Sequence, residues 1–134
     1  TYCNSFISYG SNLVLQFSNY GSEKRFGKQF ELNVYRISQE LVNNAVKHAN
    51  ATEINIQLII DENRLFLSIT DNGKGFDSNN IISNGLGMKS IKHRTEIYGG
   101  RFEINSTIDK GTEAIIEFDN LNNNSIVYDK AFNN

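Results

Sequence analysis

ELNVYRISQELVNNAVKHANATEINIQLII, residues 31–60, changes its period once, and that change sets the architecture of the chain. In its first part Val34, Ile37, Leu41, Ala45 and Ala49 recur at helical spacing, and Asn50 is a residue able to stop a helix. EINIQLII (53–60) then reads as a strand, DENR as a turn and RLFLSIT (64–70) as a second strand, so the spacing predicts a hairpin. Working upstream, NLVLQF (12–17) alternates as a strand does, SNYGSEKRFGK after it is a polar loop, and residues 1–12 start as helix. Downstream, GLGMKSIKHRTEIYGG (85–100) sets Met88, Ile91, Thr95 and Tyr98 on one helical face, and Gly99-Gly100 can end that helix in a left-handed turn. RFEINST (101–107) and TEAIIEF (112–118), joined at DKG, predict another hairpin. Strand, helix, strand, strand, helix, strand, strand is an α+β order. It predicts a two-layer α/β sandwich, with a mixed, mostly antiparallel sheet and about three helices on one face.

The chain of 134 residues is long enough for one domain with a real core and short for two, and 9 Phe and 6 Tyr supply that core. We read residues 1–119 as the domain and 120–134, LNNNSIVYDKAFNN after Asn120 itself, as a loosely held Asn-rich tail. Asn makes up roughly one residue in seven, so a lone Asn at a useful place carries little weight. The net charge of -2 gives no general attraction to nucleic acid or anionic membrane, and nucleic acid is not an expected partner. Cys3 has no second cysteine to pair with, and no apolar run approaches the ~18 to 20 residues of a membrane span. A cytoplasmic domain is expected, and the lack of an initiating Met suggests a piece of a longer protein.

Three polar clusters stand out. Glu40, Asn44 and Lys47 lie within roughly 60° of one another at the border of the first helix. A solvated helix face explains them without function; a carboxylate, an amide oxygen and an ammonium aimed into a groove would suit Mg²⁺ and phosphate. DNGKGFD (71–77) follows a strand directly. As a calcium loop it fails, because positions three and five are Gly73 and Gly75, position six is Phe76 and position twelve is Ile82. It remains either a plain turn or a place where glycines let backbone approach a flat ligand while Asp71 accepts from an amino group such as that of adenine. GLGMKS (85–90) sets two glycines at a helix start, where free N-H groups can meet phosphate. Neither a Walker A loop nor a GxGxxG fingerprint is present.

Taken together and in order, ELVNNAVKHA resembles the N box, DNGKGFD the first glycine box and NGLGMKSIKHR the second glycine box of the Bergerat ATP-binding fold. That superfamily holds gyrase, the heat-shock chaperone ATPase, the mismatch-repair clamp and the catalytic domains of sensor histidine kinases. The resemblance spans about residues 28–118 and looks closest to the histidine kinases. YRISQELVNNAVKHA, a short lid, GLGM, an arginine and IYGG are similar to the nitrate-sensor and membrane-fluidity-sensor type.

The resemblance implies ATP and Mg²⁺ as ligands. It gives Asn44 the role of supplying Mg²⁺ with an amide oxygen, Lys47 that of a phosphate contact, and Glu40 that of the acidic residue which activates water in hydrolysing relatives and orients the metal shell in kinases. Asp71 matches the aspartate that recognises the adenine amino group. Gly73 and Gly75 match the glycines flanking the base; Gly85 and Gly87, with Leu86 between them, match the lid hinge; Thr112 matches the hydroxyl that joins Asp71 and a water at adenine. Phe76 to Gly85 resembles the lid, whose bland alternative is a surface loop. Asn43 and Asp77 receive no role.

A histidine kinase passes the γ-phosphoryl group to a histidine that an acidic residue follows, but His48 and His93 are followed by Ala49 and Arg94. Neither fits as acceptor, and His48 reads as a packing residue. The resemblance therefore implies an upstream dimerisation and histidine phosphotransfer domain, through which the full-length protein forms a homodimer, a response regulator as partner, and a membrane anchor as an expectation for the full-length protein. The isolated chain is expected to bind ATP without autophosphorylating. Competing readings are an ATP-hydrolysing clamp or chaperone module, an anti-sigma-factor-type serine kinase, and a non-catalytic scaffold on the same fold.

Overall fold

The computed structural model describes residues 2–9, 13–22, 24–47, 49–77 and 88–121. The expected tail from 122 onward, His48, and the stretch 78–87 with Gly85, Leu86 and Gly87 lie outside these residues. Eight elements follow one another: β1 (Tyr2–Tyr9), β2 (Leu13–Gly21), α1 (Lys28–Lys47), β3 (Glu53–Ile60), β4 (Leu65–Asp71), α2 (Met88–Glu96), β5 (Arg101–Thr107) and β6 (Gly111–Phe118). The strands form one sheet in the order β1-β2-β3-β4-β6-β5, parallel only between β2 and β3. That parallel pair is joined through α1, because a chain that leaves one strand must cross back before it can run alongside in the same direction.

The mixed, mostly antiparallel sheet with helices on one face is as the sequence predicts. Two details differ. Tyr2–Tyr9 is an edge strand rather than the start of a helix, paired along its length with β2. Its aromatic and isoleucine content suits a pleated strand, and sheet pairing supplies hydrogen bonds that outweigh weak helix propensity. Consequently β2 also runs on through residues read as loop, to Gly21, and among the described residues the helices with both ends defined are two, not three.

Alternation along the strands decides what reaches the core. Leu65, Leu67 and Ile69 on β4 and Ala114, Ile116 and Phe118 on β6 point to the helices and are buried. Phe30, Ile37, Leu41 and Ala45 of α1 and Met88 and Ile91 of α2 join the same apolar cluster, which places both helices on one face. Phe30 is its hub, edge-on to Phe26, Tyr98 and Phe118 with ring centroids 5.9, 5.0 and 4.9 Å away. Buried Asn33 ties the helices together by donating its amide N-H to the Arg94 carbonyl at 2.6 Å.

The helix ends follow the stop signals. Asn50 adopts φ 51°, the left-handed conformation that Asn tolerates, and Gly99 adopts φ 72°. Gly99 and Gly100 donate back to the carbonyls of Glu96 and Thr95, closing α2 in a Schellman pattern. At the start of α1, Glu31 accepts both the Phe26 N-H at 3.0 Å and a forked pair from Arg25. The Arg25 hydrogen bond holds the Glu31 carboxyl below the ordinary carboxylate range, against the opposing effect of partial burial.

Candidate functional site

A cavity of about 260 Å³ opens where the C-terminal half of α1 faces the ends of β4 and β6. Leu41, Ala45 and Ala49, Ile69 on β4, Met88 on α2 and Ala114 on β6 make its walls apolar, and Phe76 adds an aromatic side. Its polar groups converge from different elements: Asn44 from α1, Asp71 from the last position of β4, and Thr112 from β6. A flat apolar slot with a few placed polar groups is the usual make-up of a small-molecule site.

Four residues singled out from the sequence, Asn44, Asp71, Gly75 and Thr112, thus share one cavity. Glu40, partly buried one helical turn before Asn44, is not among the lining residues, nor are Lys47, exposed at the last position of α1, and Gly73, buried beneath the loop. Lys74, to which no role had been given, lines it. His93, Asn43 and Asp77 are exposed.

Asp71 and Thr112 are cross-strand partners in the β4–β6 ladder. The Asp71 Oδ1 accepts the Gly73 N-H at 2.8 Å, so the carboxylate folds over its own turn. Burial raises the Asp71 pKa above the ordinary value, and the Gly73 hydrogen bond pulls it part of the way back. Ionised, this group can only accept hydrogen bonds, which suits an amino edge.

The two glycines of DNGKGFD have a physical reason apart from ligand approach. A Cβ on Gly73 would lie 2.5 Å from the Ala49 Cβ and 2.6 Å from the Ala49 carbonyl oxygen. Gly75 adopts φ 62°, and a Cβ there would collide with the Thr107 carbonyl oxygen. The loop is therefore wedged between the end of α1 and the β5–β6 turn, held by Lys74 N-H to Ala49 O at 2.8 Å and Asp109 N-H to Lys74 O at 2.5 Å. Of the two, only Gly75 also reaches the cavity.

Sequence reasoning missed the residues that carry this wedge. Asn72 accepts the Thr52 and Glu53 N-H groups at 3.0 and 2.9 Å and donates to the Thr52 hydroxyl at 3.0 Å, stitching the loop to the segment before β3. Ser106, buried on β5, accepts the Phe76 N-H at 2.9 Å and touches the Thr112 hydroxyl at 2.8 Å. Asn72 had a signal, since Asn before Gly favours side-chain capping of backbone. Ser106 had none, because a serine in a strand is ordinary until its neighbours are known.

Residues 29–122 match the family described as histidine kinase-, DNA gyrase B-, and HSP90-like ATPase. The chain belongs to this family. Among relatives of this ATPase family, sensor histidine kinase ComP of Bacillus subtilis is 42% identical over 91 residues, 66% of this chain and 12% of ComP. The histidine-protein kinase/phosphatase DegS of Bacillus subtilis is 32% identical over 114 residues, 81% of this chain and 30% of DegS. The sensor protein VraS of Staphylococcus epidermidis is 36% identical over 85 residues, 63% of this chain and 24% of VraS. The chain thus spans less than a third of the length of these relatives. The blue-light activated histidine kinase EL346 of Erythrobacter litoralis shares the fold, with a TM-score of 0.64 at 15% identity over 81% of this chain and 36% of that one. No described helix is long and apolar enough to cross a membrane.

Proposed function

We propose that the cavity takes the adenine end of ATP and that the chain is the ATP-binding catalytic domain of a two-component sensor histidine kinase. The observation that carries this reading is the pairing of Asp71 and Thr112 at the edge of an apolar slot in a chain of this ATPase family. Asp71 would accept from the base amino group, Ile69, Met88 and Phe76 would sandwich the ring, and Gly75 would present its backbone beside it. Asn44 would stand toward the phosphates, with Lys47 as a further phosphate contact, and Gly85, Leu86 and Gly87 keep the lid-hinge role that the motif implies.

One amide oxygen, and one carboxylate a turn away on the same helix, fit Mg²⁺, an ion that takes few protein oxygens and fills its shell with water and phosphate. Asn44 and Glu40 would hold it, and bound there it would neutralise phosphate charge. The chain's own contribution is positioning and electrostatics, the main source of catalysis in phosphoryl transfer. The approach YRISQELVNNAVKHA supports the nitrate-sensor and membrane-fluidity-sensor type. The acceptor histidine would lie in an upstream dimerisation domain, which also makes the homodimer, and a response regulator would receive the phosphoryl group. The domain itself would be cytoplasmic.

Calorimetric titration with a non-hydrolysable ATP analogue and Mg²⁺ tests the first half of the reading: saturable one-site binding is expected, and its absence would overturn it. Incubation with ATP and a separately supplied upstream domain tests the second half. Phosphohistidine on that domain is expected, and phosphate release without it would identify a hydrolase instead.

A further inference from the structure

Asn72, the residue after the last of β4, finishes the β3–β4 ladder with its side chain. The register pairs Asp71 with Ile54, so Asn72 stands one step further on, opposite Glu53. Opposed antiparallel residues at a hydrogen-bonded step exchange two main-chain bonds. The first is made, from the Asn72 N-H to the Glu53 carbonyl at 3.2 Å. In the second, the Glu53 N-H goes to the Asn72 Oδ1 at 2.9 Å, where an ordinary ladder would offer the Asn72 carbonyl. The same oxygen takes the Thr52 N-H at 3.0 Å, and Nδ2 donates to the Thr52 hydroxyl at 3.0 Å. The side-chain amide thus stands in for its own main chain, as Asn does in turns. Released from the ladder, the main chain crosses at once to the end of α1, where Gly73 packs against Ala49 and the Lys74 N-H reaches the Ala49 carbonyl at 2.8 Å. That course puts the Gly73 N-H 2.8 Å from the Asp71 Oδ1. A carboxylate held in this way keeps acceptor capacity for a ligand.

We propose that Asn72 is a positioning residue: by ending the ladder in place of its own carbonyl it fixes where the chain leaves the sheet, and so aims the Asp71 carboxylate at the amino edge of the ligand. Asn72 is exposed and does not line the cavity, so it acts through Asp71 and Gly73 rather than by contact. The position needs a short side chain with an oxygen that accepts two N-H groups. Alanine offers none, and aspartate offers one of the same reach. An Asp71 carboxylate aimed in this way favours a purine with a 6-amino group, a donor, over a 6-oxo purine, whose carbonyl would meet an acceptor. The inference rests on the proposed adenine reading and deepens it.

The test compares Mg²⁺-dependent binding of ATP and of inosine triphosphate, its 6-oxo counterpart, to the parent chain, Asn72→Ala and Asn72→Asp. In Asn72→Ala the Thr52 and Glu53 N-H groups lose their acceptor, and the preference for ATP over inosine triphosphate is expected to fall at least about threefold. Asn72→Asp keeps the acceptor and is expected to keep the preference, whatever its added charge does to both nucleotides alike. Should Asn72→Ala fail to fold, Asn72→Ser, whose hydroxyl makes such turn bonds more weakly, replaces it and is expected to lower the ratio in the same direction. Affinities for both nucleotides that fall together at a constant ratio would overturn the proposal, showing Asn72 to be a stitch that supports the fold alone. An Asn72→Asp ratio that falls as far as that of Asn72→Ala would overturn it as well. A parent chain that binds neither nucleotide, or both alike, would overturn the adenine reading and this inference with it, whereas a selective parent with an unmoved Asn72→Ala ratio overturns the inference alone.

Discussion

Asp71 and Thr112 stand opposite one another on adjacent antiparallel strands, the first the last residue of β4 and the second the second residue of β6. Side chains opposed in this way lie close enough to act on one ligand, and here both line the apolar cavity.

Asp71→Asn keeps the shape and can still accept the Gly73 N-H, but it cannot carry charge. Because burial raises the folded pKa of Asp71, the folded state holds its proton to higher pH than the unfolded chain does. Its stabilising contribution is full below the unfolded carboxylate pKa and is lost as pH rises through the folded one. Urea denaturation across the acid-to-neutral range should therefore show parent and variant alike at low pH, with the variant gaining on the parent as pH rises. Nucleotide affinity should move the other way, the variant binding at least about tenfold more weakly at neutral pH, a loss of about 1.4 kcal/mol.

Glu31 supplies the opposite sign. Its carboxyl is held low, chiefly by the Arg25 hydrogen bond, so its contribution is present above the unfolded carboxylate pKa and lost as pH falls through the folded value. Glu31→Gln is expected to lower the denaturation midpoint at neutral pH and to leave it close to the parent's in acid. A midpoint difference that persists unchanged at low pH would show that the ion pair is not its source.

Gly75→Ala tests the wedge. The left-handed backbone and the collision with Thr107 O together predict a loss of at least about 2 kcal/mol by chemical denaturation. Nucleotide binding should weaken with it, since Gly75 lines the cavity.

Phe30→Ala removes the ring on which Phe26, Tyr98 and Phe118 converge. A loss of about 3–5 kcal/mol is expected from denaturant titration, enough to unfold a marginal domain. The residue does not line the cavity, so a folded remnant should still bind nucleotide.

Much of the fold was legible because periodicity reports burial. The strands at 53–60, 101–107 and 112–118 and the helix around Ile37 and Leu41 lie where their patterns predict, with ends displaced by a few residues at most. Tyr2–Tyr9 was not legible, since an edge strand owes its existence to the hydrogen-bonding partner β2, which lies outside any local window. In the site, Asp71, Gly75, Thr112 and Asn44 were named from motif order, and the structure gathers these four into one cavity.

What the sequence by itself determined is the elements from β2 onward and the chemical types available near the cavity, because side-chain period and turn residues act over a few neighbours. What only the tertiary structure decided is why the loop must be glycine, through Ala49 and Thr107, and which polar groups share the cavity, through the pairing of β4 with β6. Those depend on atoms brought together across the sheet from distant parts of the chain. Steric exclusion and hydrogen-bond direction are properties of that assembly rather than of any one segment.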